Sequence, residues 1–145
     1  MAITTAMCNS FKQELLQGEH DLDNHTLKVA LIKASPSGTY GAATTNYSDI
    51  TGNSDEATGT NYTAGGQALD SATITLSGST AFVDFADEVF TNLTISADGA
   101  IIYNSSQGNK AIAVFDFGST VTSTSGDFTV VFPTADASNA VIRIS

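Results

Sequence analysis

The chain has 145 residues, 41% of them apolar and 14% charged, and its five basic residues face fifteen acidic ones for a formal net charge of −10. Length and apolar content fit one domain that buries about 68–70% of its unfolded surface, which excludes disorder throughout. The charge excludes a nucleic-acid binder, because Lys12, Lys28, Lys33, Lys110 and Arg143 are scattered and form no phosphate-binding stripe.

Ser, Thr, Asn, Gly and Ala dominate the rest of the composition, a profile of short strands joined by polar loops rather than of a helical bundle. No apolar run reaches the roughly 20 residues of a membrane span. Residues 1–5 lack the basic and apolar blocks of a secretion signal, so the Asn-x-Ser/Thr triplets at Asn46, Asn61, Asn92 and Asn104 read as compositional. A single cysteine, Cys8, leaves no intrachain disulfide to staple the fold.

The first element in chain order is a helix over 5–17, with Thr4 or Thr5 as its cap and Gly18 as its stop. Met7, Phe11 and Leu15 recur at i, i+4 and i+8, with Cys8 and Leu16 beside them, and make one apolar face. That face either contacts another subunit or closes the protein's own core, and Met7, Phe11 and Leu15 are the candidate contact residues. Cys8 on it reads as a small buried hydrophobe.

The segment 19–25 holds both histidines, His20 and His25, beside Glu19, Asp21 and Asp23, the only cluster with metal-ligand residue types. It lacks a complete zinc or calcium ligand pattern, and reads as a solvated loop. A strand over 26–33 follows, with Leu27, Val29 and Leu31 on one side and Lys28 on the other. The polar stretch 37–61, made acidic by Asp49, Asp55 and Glu56, is longer than an ordinary connection and is expected on an exposed face. Gly65 and Gly66 supply a turn or bulge.

Three runs come next: Ala72–Leu76, Ala81–Phe85 and Leu93–Ile95, the first turning at Ser77-Gly78. The central feature is a hairpin over 100–118, with arms Ala100–Asn104 and Ala111–Phe117 around Ser105–Asn109, bounded by Asp98-Gly99 and Gly118. Its arms are nearly all apolar, as strands covered on both faces are. Asp127–Phe132 and Ala140–Ile144 form a last pair joined by the loop Thr134–Asn139.

These patterns predict a mainly β, single-domain β-sandwich or flattened barrel of about seven to nine strands with one N-terminal helix. They offer no G-x-S-x-G elbow, no phosphate-cradling loop and no dinucleotide fingerprint. Asp84, Asp87 and Glu88 form a second acidic cluster, but no Trp stands by to bind sugar as a glycosidase would need. The chain is expected not to be an enzyme, with no cofactor, no metal, no catalytic residue, and no nucleic-acid or membrane partner.

Several stretches resemble a family of small virion structural proteins of tailed bacteriophages: Met7–Gly18, Tyr62–Gly66, Gly99–Ser106, Ala111–Gly118 and Phe132–Ala137 through Ile144. Together they run from end to end except for the acidic loop at about 41–60, which is longer here than in that family. The resemblance implies a capsid decoration (cement) protein on the outside of the head, made in the host cytoplasm. Its implied partners are the major capsid protein and further copies of itself, as a homo-oligomer. Alternatives are a tail or adaptor component and a receptor- or glycan-binding domain of a fibre.

Overall fold

In a computed structural model describing residues 2–70 and 72–145, the chain folds through ten strands and two helices. The first half runs β1 (Ala2–Ile3), β2 (Ala6–Met7), α1 (Asn9–Leu16), β3 (Leu27–Lys33), β4 (Thr39–Tyr40) and α2 (Ser48–Gly52). The second runs β5 (Gln67–Ala68), β6 (Thr73–Ser77), β7 (Thr80–Asp84), β8 (Glu88–Asn104), β9 (Lys110–Val130) and β10 (Ile142–Ile144). The fold is mainly β and sandwich-like. A five-stranded sheet of order β2-β9-β8-β3-β5 lies with a three-stranded sheet β10-β7-β6 and a short parallel pair β1-β4.

β8 and β9 form one antiparallel ribbon of 17 and 21 residues, turned by a 3₁₀ segment Ser105–Gln107 with Gly108 and Asn109 at positive φ. The hairpin expected over 100–118 is therefore only its inner half. Leu93–Ile95 and Asp127–Val130 are not separate strands but continuations of the same two arms. Gly99 and Gly118 do not end the arms. The ribbon instead absorbs irregularities, among them register shifts at Phe90/Leu93 and Ala97/Gly99, and bulges bend and twist a strand without terminating it.

Both arms are fully covered at Ala100–Asn104 and Ala111–Val114, because successive side chains point to opposite faces and each face has its own lid. Tyr103 stacks on Tyr47, with ring centroids 4.5 Å apart, and donates to the Gly65 carbonyl at 2.6 Å. Asn104 meets His20 on the other face, and the His20 ring lies 5.0 Å from that of Phe11 in α1. β3 pairs along the inner half of β8 from Leu27 to Lys33, and its residues 29–32 are wholly buried rather than alternating, as a central strand requires.

The expected helix over 5–17 is shorter. Residues 6–7 are a strand on β9, with Ala6 opposite Val114 and Met7 opposite Ala113, and α1 begins only at Asn9. Thr4 and Thr5 cap nothing; the N-cap is Cys8, without a side-chain bond, and Thr5 instead accepts from the Asp116 amide at 2.9 Å. The apolar periodicity of Met7 is satisfied as well by an inward-facing strand residue as by a helix turn. Gly18, at φ +76°, follows the helix end in the left-handed conformation.

The acidic stretch 37–61 is not an exposed loop. It holds β4 and α2, and buries Tyr40, Thr44, Ile50, Asp55 and Ala57. Asp55 is its pivot: the carboxylate accepts from Tyr40 Oη (2.6 Å), Gly38 N (2.8 Å), Ser37 N and Oγ (3.0 Å each), and pairs with Lys33 Nζ at 2.9 Å. Glu56 does the same next door, accepting from Tyr62 Oη at 3.0 Å and Gly65 N at 2.6 Å, and from Tyr47 Oη. Gly66, at φ +74°, lies so close against β3 that a Cβ would overlap the Val29 carbonyl.

The C-terminal strand also differs from expectation. β10 pairs not with the end of β9 but with β7, Ile142 opposite Val83 and Ile144 opposite Ala81.

Candidate contact surface

α1 and the β10-β7-β6 sheet leave two apolar grooves between them. One, of about 270 Å³, is lined by Leu15, Leu22, Ile74, Val83, Ile142 and Ile144, with His20 at its margin. The other, of about 330 Å³, runs between Met7, Phe11, Lys12, Leu15 and Leu16 on one side and Arg143 and Ile144 on the other. Leu15 and Ile144 belong to both, so the grooves adjoin. Along them stand Leu16, 91% exposed, Ile144 at 50% and Ile74 at 46%. Scattered exposed apolar residues are ordinary; several gathered along a groove make a candidate contact surface.

Of the three residues singled out in the sequence, Phe11 is completely buried and belongs to the protein's own core, while Met7 and Leu15 are half-buried beside it. The helical face thus closes the sandwich and also borders the grooves. Leu16, read as lying beside the apolar face, instead projects into solvent. Ile74, Leu76 and Ile144 carried no sequence signal as surface residues, because alternation in a strand does not tell which face is covered.

Charge sharpens the picture. Lys33 and Lys110 are tied to Asp55 and Glu19, whereas Lys12 and Arg143 both line the second groove. A molecule of net charge −10 thereby places two of its five cations beside its most exposed leucine.

The remaining titratable clusters are structural. His20 is buried and His25 half-buried, so the expected solvated loop is in part a lid. The Asn104 amide, oriented by accepting from Ser106 N at 3.1 Å, donates to Nδ1 of both histidines at 3.0 Å, and His20 Nε2 meets Glu14 at 2.7 Å. Asp84, Asp87 and Glu88 do not converge: Asp87 accepts from Phe132 N, Glu88 from Gln67, and Asp84 stands exposed. Burial pushes the Cys8 thiol up to about 12, with Asp49 and Glu14 adding to it, so it stays protonated and unreactive. Burial alone would raise the Asp55 carboxyl as well, but its five donors outweigh burial and hold it well below the usual carboxylate range. Among the described residues, no group of three or more His, Cys, Asp and Glu side chains comes together as a metal site, and no helix is long and apolar enough to cross a membrane.

No family model, curated protein or solved structure matches this chain.

Proposed function

We propose that this chain is a structural subunit of a tailed-phage particle, and within it a decoration protein that seats on the outside of the head and ties neighbouring capsid subunits together. The resemblance of Met7–Gly18, Gly99–Ser106 and Ala111–Gly118 to small virion proteins carries the reading. The groove between α1 and β10 supports it, being an apolar seat with Leu16 and Ile144 exposed and Lys12 and Arg143 alongside. Subunits repeated by symmetry need only a modest contact each, because many weak contacts on one lattice add their free energies. The acidic balance suits a position away from packaged DNA.

Counting copies in purified particles by quantitative gel densitometry tests the assignment. A head decoration protein gives on the order of hundreds of copies, following the symmetry of the shell. Tens or fewer would move the protein to the tail, and its absence from particles would end the virion reading.

A further inference from the structure

We propose that β6 is an interface strand that pairs, antiparallel and in register, with β6 of a second copy of this chain. β6 is the outer strand of its sheet, all five of its residues are exposed, and among the described strands β7 is the one hydrogen-bonded to it. Natural sheets blunt such edges with Lys, Pro or extreme shortness. β6 has none of these: it reads Thr73-Ile74-Thr75-Leu76-Ser77. The other outermost strands of the two larger sheets, β2, β5 and β10, are only two or three residues long, and β10 carries Arg143. The outer edge of β9 beyond its pairing with β2 carries Asp116, whose amide is taken by Thr5, and Asp127, and the pairing of β9 with β8 is repeatedly interrupted.

The geometry selects a second copy. Gly78, at φ +61°, opens a two-residue turn that closes on Ser77 and Thr80. Main-chain groups of Thr75 and Ser77 therefore face β7, and those of Ile74 and Leu76 face outward, since hydrogen-bonding direction alternates along an antiparallel strand. The strand is chemically self-complementary about Thr75, with Thr73 matching Ser77 and Ile74 matching Leu76. A two-fold axis through Thr75 lets each Ile74 exchange two main-chain hydrogen bonds with Leu76 of the other copy. It also sets those side chains on the face that already holds Val83 and Ile142.

Electrostatics favours the same approach. Two chains of net charge −10 repel over most of their surfaces, but residues 72–83 carry no charge at all. The nearest carboxylate on the hairpin, Asp84, sits opposite Thr73. In the paired arrangement its two copies lie roughly 20 Å apart, from three strand spacings across and four residues along. That is well beyond the screening length of about 8 Å at physiological salt.

The proposal stands on this edge alone, independently of the particle reading; a strictly monomeric protein that still decorates capsids would remove it and leave that reading intact. Sedimentation velocity on the full chain, from about 10 µM to about 1 mM, is the first test. A reversible dimer is expected, tightening when salt is raised, because screening relieves acidic repulsion and the contact contains no ion pair. Leu76→Lys is expected to weaken it at least about tenfold with an unchanged melting curve, since the position is exposed in the single copy. Register is read separately with cysteine variants under mild oxidation. Thr75→Cys meets its own twin across the axis at a Cα separation of about 4.5 Å, within disulfide reach, whereas Ser77→Cys does not. A protein monomeric throughout that range at high salt, a dimer indifferent to Leu76→Lys, or equal cross-linking of the two cysteine variants would each overturn the proposal.

Discussion

Replacing Asp55 by Ala probes the segment between β4 and β5 most sharply. The wild-type carboxylate is fully buried and satisfies Tyr40 Oη, Gly38 N and both donors of Ser37 at 2.6–3.0 Å, besides its pairing with Lys33. Alanine leaves these donors facing a void. Each stranded buried donor costs about 1–3 kcal/mol, while the Lys33 ammonium, 37% exposed, returns to water at little cost, and shared relaxation keeps the total below the sum. A loss of about 3–5 kcal/mol is expected at neutral pH, read as a fall of about 2 M in the urea midpoint. The pH dependence has a definite sign. The folded carboxyl titrates below its unfolded value of about 4, so its stabilisation is complete above that pH and is lost as pH falls towards the folded value. The gap between wild type and Asp55→Ala should therefore narrow as pH is lowered from 7 to about 3. A gap under about 1 kcal/mol, or one that does not change with pH, would refute the reasoning.

Two glycines with similar positive φ separate strain from crowding. Gly78→Ala, with open space around it, should cost about 1 kcal/mol, while Gly66→Ala, which meets the Val29 carbonyl, should cost about 3 kcal/mol or more in thermal or urea melts. Asn104→Leu removes the donor to both histidines and the acceptor of Ser106 N, and a loss of about 2–4 kcal/mol in the same urea assay is expected. Deleting residues 1–18 should abolish cooperative melting, because it takes β2 from the edge of β9 and empties the wholly buried sites of Cys8 and Phe11. A truncated chain that still melts cooperatively would return that segment to the surface.

The β class was legible because alternating runs broken by Gly, Asn and Pro have few other solutions, and the β6–β7 hairpin lies where Ser77-Gly78 places its turn. Strand lengths were not. Gly99 and Gly118 look like terminators in sequence, yet the ribbon absorbs them, and only pairing over the whole length of β8 and β9 reveals this. Asp55 and Glu56 misled in the opposite direction. A carboxylate reads as surface unless its donors are known, and theirs come from Lys33, Ser37, Gly38, Tyr40, Tyr47, Tyr62 and Gly65, scattered over more than thirty positions. His20 and His25 share a partner in Asn104, some eighty residues away, which no local pattern links to them. The candidate contact surface was half legible: the periodicity of Phe11 and Leu15 marks an apolar helix face, but Ile74 and Ile144 enter it only through the pairing of β6 and β10 with β7.

The most direct test of the account is to locate the protein on intact particles with a gold-labelled antibody raised against the folded chain. Label spread over the outer surface of the head, repeated on every particle, is the predicted result. Label confined to the tail, or particles that carry none, would contradict it.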